Sequence, residues 1–206
     1  GRIIGWSEHI DPSHPVTKKL KPNRDIHLAL QAIAPSSGVF RLVTASALLE
    51  GGVSPLRSYC YTKFKGTWLQ EYHLTNRNPN GCNHLTEAIA TTDNSYLAFV
   101  SHNELSSDQL KKISQQLGFD QRYSYFGLPY ELSVAQIPQD SLTRAKTALG
   151  FQGSKMNVLH AALLMGAIAS DGKVRSPRLV ERIIDEEGRE ISAPQFPPMA
   201  QGVSPS

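Results

Sequence analysis

Three short stretches of this chain carry residue types from which acyl-transfer chemistry is built. The stretch "PSSGVFRLVTASALLEGG", residues 35 to 52, reads like the start of a helix that presents a serine nucleophile and, three residues later on the same face, its base. A pair three residues apart at the start of that helix is Gly38 and Arg41. Glycine has no oxygen with which to attack, and a guanidinium keeps its proton throughout the range in which proteins are stable, so Arg41 is no base. Ser37 is one residue out of step, a rotation of about 100° on a helix, and Phe40 rather than a lysine follows it three residues later. Thr92, Asp93 and Asn94 offer a hydroxyl and an amide two residues apart, and Lys146-Thr147-Ala148 offers an ammonium beside a hydroxyl.

Metal chemistry finds weaker footing. Cys60, His73, Cys82 and His84 lie close in sequence, but Cys82 and His84 are only two apart and there is no Cys-x-x-Cys knuckle. No metal and no other cofactor is expected. The two cysteines are an even count, open to pairing or to remaining buried thiols. A pair would close a short loop, worth roughly 3 kcal/mol in the chain-entropy model.

The elements that would position these groups can be read from pattern. Val39 to Leu49 is apolar or small at nearly every position and stops at Gly51-Gly52, as a buried helix with a glycine C-cap does. Residues 53 to 83 show no periodicity. "HLTEAIATTDNSYLAFVSH" reads as two helices broken at Thr91 to Asn94. "SSDQLKKISQQLGF" is amphipathic, with Ser107 as expected N-cap and Leu110, Ile113 and Leu117 on one face. "SLTRAKTAL" is a further short helix, and "MNVLHAALLMGAIA" a buried one in which His160 is a core histidine. "GRIIGW" reads as an opening strand, residues 11 to 25 as a loop, and "RLVERIIDEEGREI" as a hairpin with Glu187 and Gly188 at its tip. Residues 192 to 206, with four prolines, are expected to be a tail or linker.

The bulk numbers bound the function. A chain of 206 residues fits one domain with a sizeable core. A net charge of +3, spread along the chain, is too diffuse to argue for nucleic acid. No apolar run is long enough for a membrane-crossing helix, which needs roughly 20 residues. The start at Gly1, without methionine or signal sequence, suggests an excised segment, so any membrane anchor would lie outside this chain.

Taken in order, these stretches resemble the transpeptidase domain of penicillin-binding proteins, from Gly1 to about Ile191. "GRIIGW" resembles the family's opening strand. "APSSGVFRLVTASALLEGG" resembles its nucleophile helix, typically Pro-Gly-Ser-Thr-Phe-Lys before an apolar run and Glu-Gly. "LTEAIATTDNSYLAFV" resembles the segment that carries Ser-x-Asn. The run from Ala148 to Ile191 resembles the block in which Thr-Pro-Leu-Gln-Met-Ala leads to Ala-Ile-Ala-Asn-Gly-Gly and Pro-x-Leu-Val. The family works with Ser-x-x-Lys, Ser-x-Asn and Lys-Thr-Gly in one cleft.

With Phe40 as anchor, the resemblance places the serine on Gly38 and the lysine on Arg41, so the Ser-x-x-Lys of the site is lacking. Thr92 and Asn94 keep part of the second motif, as groups that line a cleft or as a capped break between helices. Lys146-Thr147-Ala148 precedes the last long helix, whereas the family's third motif follows it, beyond the end of this chain. The resemblance therefore implies an α+β fold in which the helix-rich part carries only a remnant of the main sheet. A partial transpeptidase-like domain over 1–191 would be followed by the tail at 192–206.

By resemblance the location is periplasmic or otherwise extracytoplasmic, which favours a Cys60–Cys82 disulfide. The function implied is that of a catalytically inactive module that binds or scaffolds in cell-envelope and peptidoglycan assembly. Envelope or division proteins are its expected partners, with the peptidoglycan stem peptide as a further ligand held by Arg41, Thr92 and Asn94. Arg41 would then hold a carboxylate, the alternative being a pair with an internal Asp or Glu. The rival reading is a piece of a working D,D-transpeptidase or β-lactam-binding protein.

Overall fold

A computed structural model describes residues 7, 9, 13, 27–121, 131–174, 177, 182–192 and 200–204. The opening stretch read as a strand, and nearly all of the loop at 11 to 25, lie outside the described residues. The fold is α+β. Its helices are α1 (Phe40–Glu50), α2 (Leu85–Ala90), α3 (Asn94–Glu104), α4 (Ser107–Gln116), α5 (Ser141–Ala148) and α6 (Val158–Ile168). The strands are short: β1 (Ala34–Pro35), β2 (Tyr59–Tyr61), β3 (Gly81–Asn83), β4 (Val134–Ala135), β5 (Ser154–Met156), β6 (Lys173–Val174), β7 (Ile183–Ile184), β8 (Glu190–Ser192) and β9 (Ala200–Gln201).

Side-chain caps start every helix but one. Asp93 accepts from the amides of Ser95 and Tyr96 at the head of α3, Asp140 does the same for Leu142 and Thr143 in α5, and Asn157 takes the His160 amide in α6. In α4 the cap is Ser106, not Ser107: Ser106 has the extended backbone of a cap, and Gln109 closes a capping box back onto it. Ser107 is instead buried and donates its hydroxyl to the Pro138 carbonyl at 2.8 Å. The exception is α1, which has no side-chain cap and is entered through a 3-10 turn at Ser37–Val39.

The core gathers around α3, in which every residue from Ser95 to Ser101 is buried, and α1, α2 and α5 pack against it. Phe40 and Phe119 meet edge to face at 5.2 Å between α1 and the end of α4. The apolar helix α6 differs from its reading as a wholly buried element. Leu159, His160, Leu164 and Ala167 face inward, whereas Val158, Met165 and Ile168 are exposed.

Among the described residues sheet structure is sparse, and the largest sheet has three strands in the order β1-β5-β4, all antiparallel. Residues 53 to 83, which showed no periodicity, contain the β2–β3 hairpin, too short to register as alternation. The hairpin expected near Glu187 and Gly188 is β7–β8. Within the expected tail, β9 pairs with β6, and the Ser204 amide donates to Glu50 at the end of α1.

Candidate functional site

The turn that enters α1 is held from below by β5 and the end of α5. Ser36 donates its amide to Ser154 at 3.2 Å, and Ser37 donates to Gly150 at 3.1 Å. Ser37 itself has φ +46°, a conformation that L side chains rarely adopt. Gly150, at φ +73°, lies so close to the Ser37 carbonyl that no Cβ fits between them. Farther along, Thr44 donates its hydroxyl to the Ala148 carbonyl at 2.6 Å. The turn's unusual backbone is thus imposed by its neighbours.

On this turn the guanidinium of Arg41 folds back over Gly38. Its Nη2 lies 2.8 Å from where a Cβ would stand on Gly38, and Cζ lies at 3.4 Å. Arginine therefore fills the space in which any side chain at position 38 would begin. Burial pulls the Arg41 pKa below its ordinary value, and among the described residues Arg41 Nε has neither a hydrogen-bond partner nor contact with solvent. The internal carboxylate considered from sequence is not found among the described residues. Ser37 is exposed, and the group three residues on is the buried Phe40 ring.

The stretch Thr92 to Asn94, expected from the resemblance to keep part of the second motif, is a junction between two helices. α2 ends with Thr92 at φ +62°. The Thr92 amide is bonded to Ile89 and the Asp93 amide to Ala88 at 2.8 Å, which together form a Schellman-type stop. Asp93 then caps α3 at once. The break spans Thr91 to Asp93, since Asn94 is already helical. Thr92 is exposed, while Asn94 is half-buried with its Oδ1 unpartnered among the described residues.

Two residues that sequence reading missed converge on Asp93. Tyr61 donates its hydroxyl to Asp93 Oδ2, and Asn83 Nδ2 donates to the same oxygen at 3.3 Å. Burial first, then the hydrogen bond to Asp93, pushes the Tyr61 hydroxyl well above the usual tyrosine range. Both residues follow a cysteine directly in the chain. Cys60 and Cys82 stand opposite each other in the β2–β3 register and are joined as a disulfide, so the bridge sets the strands from which Tyr61 and Asn83 reach. Their place one residue after each cysteine was the only available signal.

The remaining candidates separate. The Ser-x-x-Lys spacing does occur once, at Ser170–Lys173, but in a tight turn after α6 in which the Lys173 amide bonds the Ser170 carbonyl at 3.1 Å, not on a helix. Lys146, Thr147 and Ala148 lie on α5, not on a strand. Ser101 and Asn103, which also have the Ser-x-Asn spacing, bond the α3 backbone. Among the described residues no three His, Cys, Asp or Glu side chains cluster as a metal site would require. His160 is buried, with its Nε2 at 2.8 Å from the Leu117 carbonyl. An open cleft of about 700 Å³ lies along β1, β4 and β5, lined by Pro35, Glu131, Gln136, Ser154 and Lys155.

The family model described as the penicillin-binding protein transpeptidase domain matches residues 9–205. Among solved structures, the chain is similar to PBPA from Mycobacterium tuberculosis, with 22% identity and a TM-score of 0.71 over 86% of this chain and 42% of that one. Similarity extends to penicillin-binding protein 3 of the same organism, at 21% identity and TM-score 0.67 over 86% of this chain and 40% of that one. The D,D-transpeptidase domain of a peptidoglycan glycosyltransferase from Eggerthella lenta matches at 20% identity and TM-score 0.65, over 83% and 45% of the two chains. This chain thus spans less than half the length of these structures. No match is found among curated proteins.

Proposed function

The chain belongs to the penicillin-binding protein transpeptidase domain family, and from that premise we propose that it is a non-catalytic member, binding or scaffolding in peptidoglycan assembly at the cell envelope. One observation supports this reading: the Arg41 guanidinium lies over Gly38, the position that the resemblance assigns to the family's attacking serine. Acyl transfer needs an oxygen nucleophile and a group to take its proton. Gly38 supplies no oxygen, and Arg41, although burial lowers its pKa, remains a cation. The scaffold around the two positions is nevertheless retained, from the buried Phe40 to the capped start of α3.

The Cys60–Cys82 disulfide supports an oxidising, extracytoplasmic setting. Envelope or division proteins are the partners this reading assigns.

A second reading is favoured by a different observation. The chain covers 42% of PBPA, and Thr92 and Asn94 keep a hydroxyl and an amide at the second motif, as a segment of a working D,D-transpeptidase or β-lactam-binding protein would. Labelling with a fluorescent penicillin, followed by intact-mass measurement, separates the two. The non-catalytic reading expects no covalent adduct; a serine-dependent adduct overturns it.

A further inference from the structure

We propose that the exposed aromatic face around Trp68 and Tyr72 docks on an anionic phospholipid surface, holding this part of the chain against a membrane. The proposal goes beyond the non-catalytic reading and does not depend on it. Trp68 is 61% exposed and Tyr72 50%, and their rings meet edge to face at 6.5 Å. Adjoining aromatic rings left in water mark an interaction surface, as singly scattered apolar side chains do not.

The face is held by a fixed support. Both rings pack on His73, Tyr72 at 3.9 Å and Trp68 at 5.8 Å between centroids, and Phe64 reaches the same imidazole at 5.4 Å. His73, Leu69 and Leu74 are buried, so the segment is pinned to the core from beneath. Gln70 and His73 close a capping box on the short 3-10 turn Glu71–Leu74. The rings are thus presented outward already ordered, which reduces the entropy lost when they are immobilised on a partner.

The charge around the rings selects the partner. The Trp68 amide donates to the Lys65 carbonyl at 3.2 Å, so Lys65 opens the turn that Trp68 closes. The Lys63 amide donates to Asn80 Oδ1 at 2.7 Å and the Thr62 hydroxyl to the Asn78 carbonyl at 3.0 Å, which draws the loop that carries Arg77 alongside. Lys63, Lys65 and Arg77 are all exposed, and Glu71 is the one carboxylate in residues 62–80. Among the described residues none of the three cations has a carboxylate within ion-pair distance, whereas Arg189 has both Asp185 and Glu187. Tryptophan and tyrosine carry a polar tip on an apolar ring and settle at the headgroup level of a bilayer. Clustered cations are drawn to anionic headgroups. A protein partner is the poorer fit, because lysine is depleted from protein interfaces.

The test mixes the whole chain with vesicles of phosphatidylglycerol and phosphatidylcholine in equal parts and, separately, with vesicles of phosphatidylcholine alone, read by co-sedimentation and by tryptophan emission. Binding to the anionic vesicles is expected, weakened by added salt, with a blue shift that Trp68→Ala removes. Trp68→Ala, and Lys63→Gln combined with Lys65→Gln, should each bind roughly tenfold more weakly. No binding to the anionic vesicles, equal binding to both compositions, or binding unchanged by either variant overturns the proposal. Self-association that Trp68→Ala abolishes, without vesicle binding, would assign the face to a second copy of this chain and overturns it as well. Because the two compositions are compared on the unaltered protein, a variant that fails to fold leaves the test intact.

Discussion

The Ser37 amide donates to the Gly150 carbonyl at 3.1 Å, joining the turn before α1 to the glycine just past the C-cap of α5. Gly150 holds φ +73°, and a Cβ there would run into the Ser37 backbone. Gly150→Ala should therefore destabilise by at least about 3 kcal/mol, combining left-handed strain with a backbone clash that no rotamer relieves. Gly52→Ala is the control: its φ is +86° but nothing lies within 4 Å. Only the strain of about 1 kcal/mol should then appear. Urea denaturation of both variants checks the difference, and equal losses would remove Gly150 from the positioning of the turn.

Thr92 stops α2 in a left-handed conformation at φ +62°, a position that favours glycine. Thr92→Gly should stabilise by about 1 kcal/mol, since it relieves the strain of a β-branched residue and the Thr92 side chain is exposed. A loss of stability in the same denaturation assay would mean that the hydroxyl contributes to the fold.

Tyr61 and Asn83 share Asp93 Oδ2 and are carried on the strands that the disulfide joins. Replacing Cys60 and Cys82 by serine should cost about 3 kcal/mol, given their sequence separation of 22. Tyr61→Phe should cost about 1.5–3 kcal/mol, the range for a hydrogen bond to a charged group. Combined, the changes should cost less than their sum, because a hairpin without its bridge holds Tyr61 on Asp93 less firmly. Strict additivity would show that the bridge does not serve the Asp93 network.

Stability should fall at both ends of the pH scale. Burial lowers the pKa of His160 and of His73 and His102 below 6.5. The unfolded chain then binds more protons, so their contribution is full above about pH 6.5 and is lost as pH falls through the folded values. Burial raises Tyr61, and raises Tyr96 to about 12. Their contribution is full below about pH 10 and is lost above it. Urea midpoints across this range should form a plateau with two falling edges; a midpoint that rises on acidification would contradict the histidine assignment.

Restoring Gly38→Ser together with Arg41→Lys should not produce acylation by fluorescent penicillin. Gly38 has an ordinary backbone φ and the obstruction is the mobile end of Arg41, so the double variant should fold. The third motif would still be absent from the 206 residues. A covalent adduct in this variant would mean that the remaining groups suffice.

Sequence alone determined that Gly38 and Arg41 cannot perform serine acyl transfer, because an atom a residue lacks and a proton it cannot lose are properties of the residue. It also determined the helices at α1, α3, α4 and α5, whose apolar spacing and caps are local. Tertiary structure decided the rest. That Arg41 lies over Gly38 unpaired among the described residues depends on where a long side chain folds and on which carboxylates other elements bring near. That Tyr61 and Asn83 hold Asp93 depends on pairing two strands that lie well apart in the chain, in segments too short to show a period. That Gly150 must be glycine follows from a contact between two turns distant in sequence, at Ser37 and Gly150, which no local pattern records.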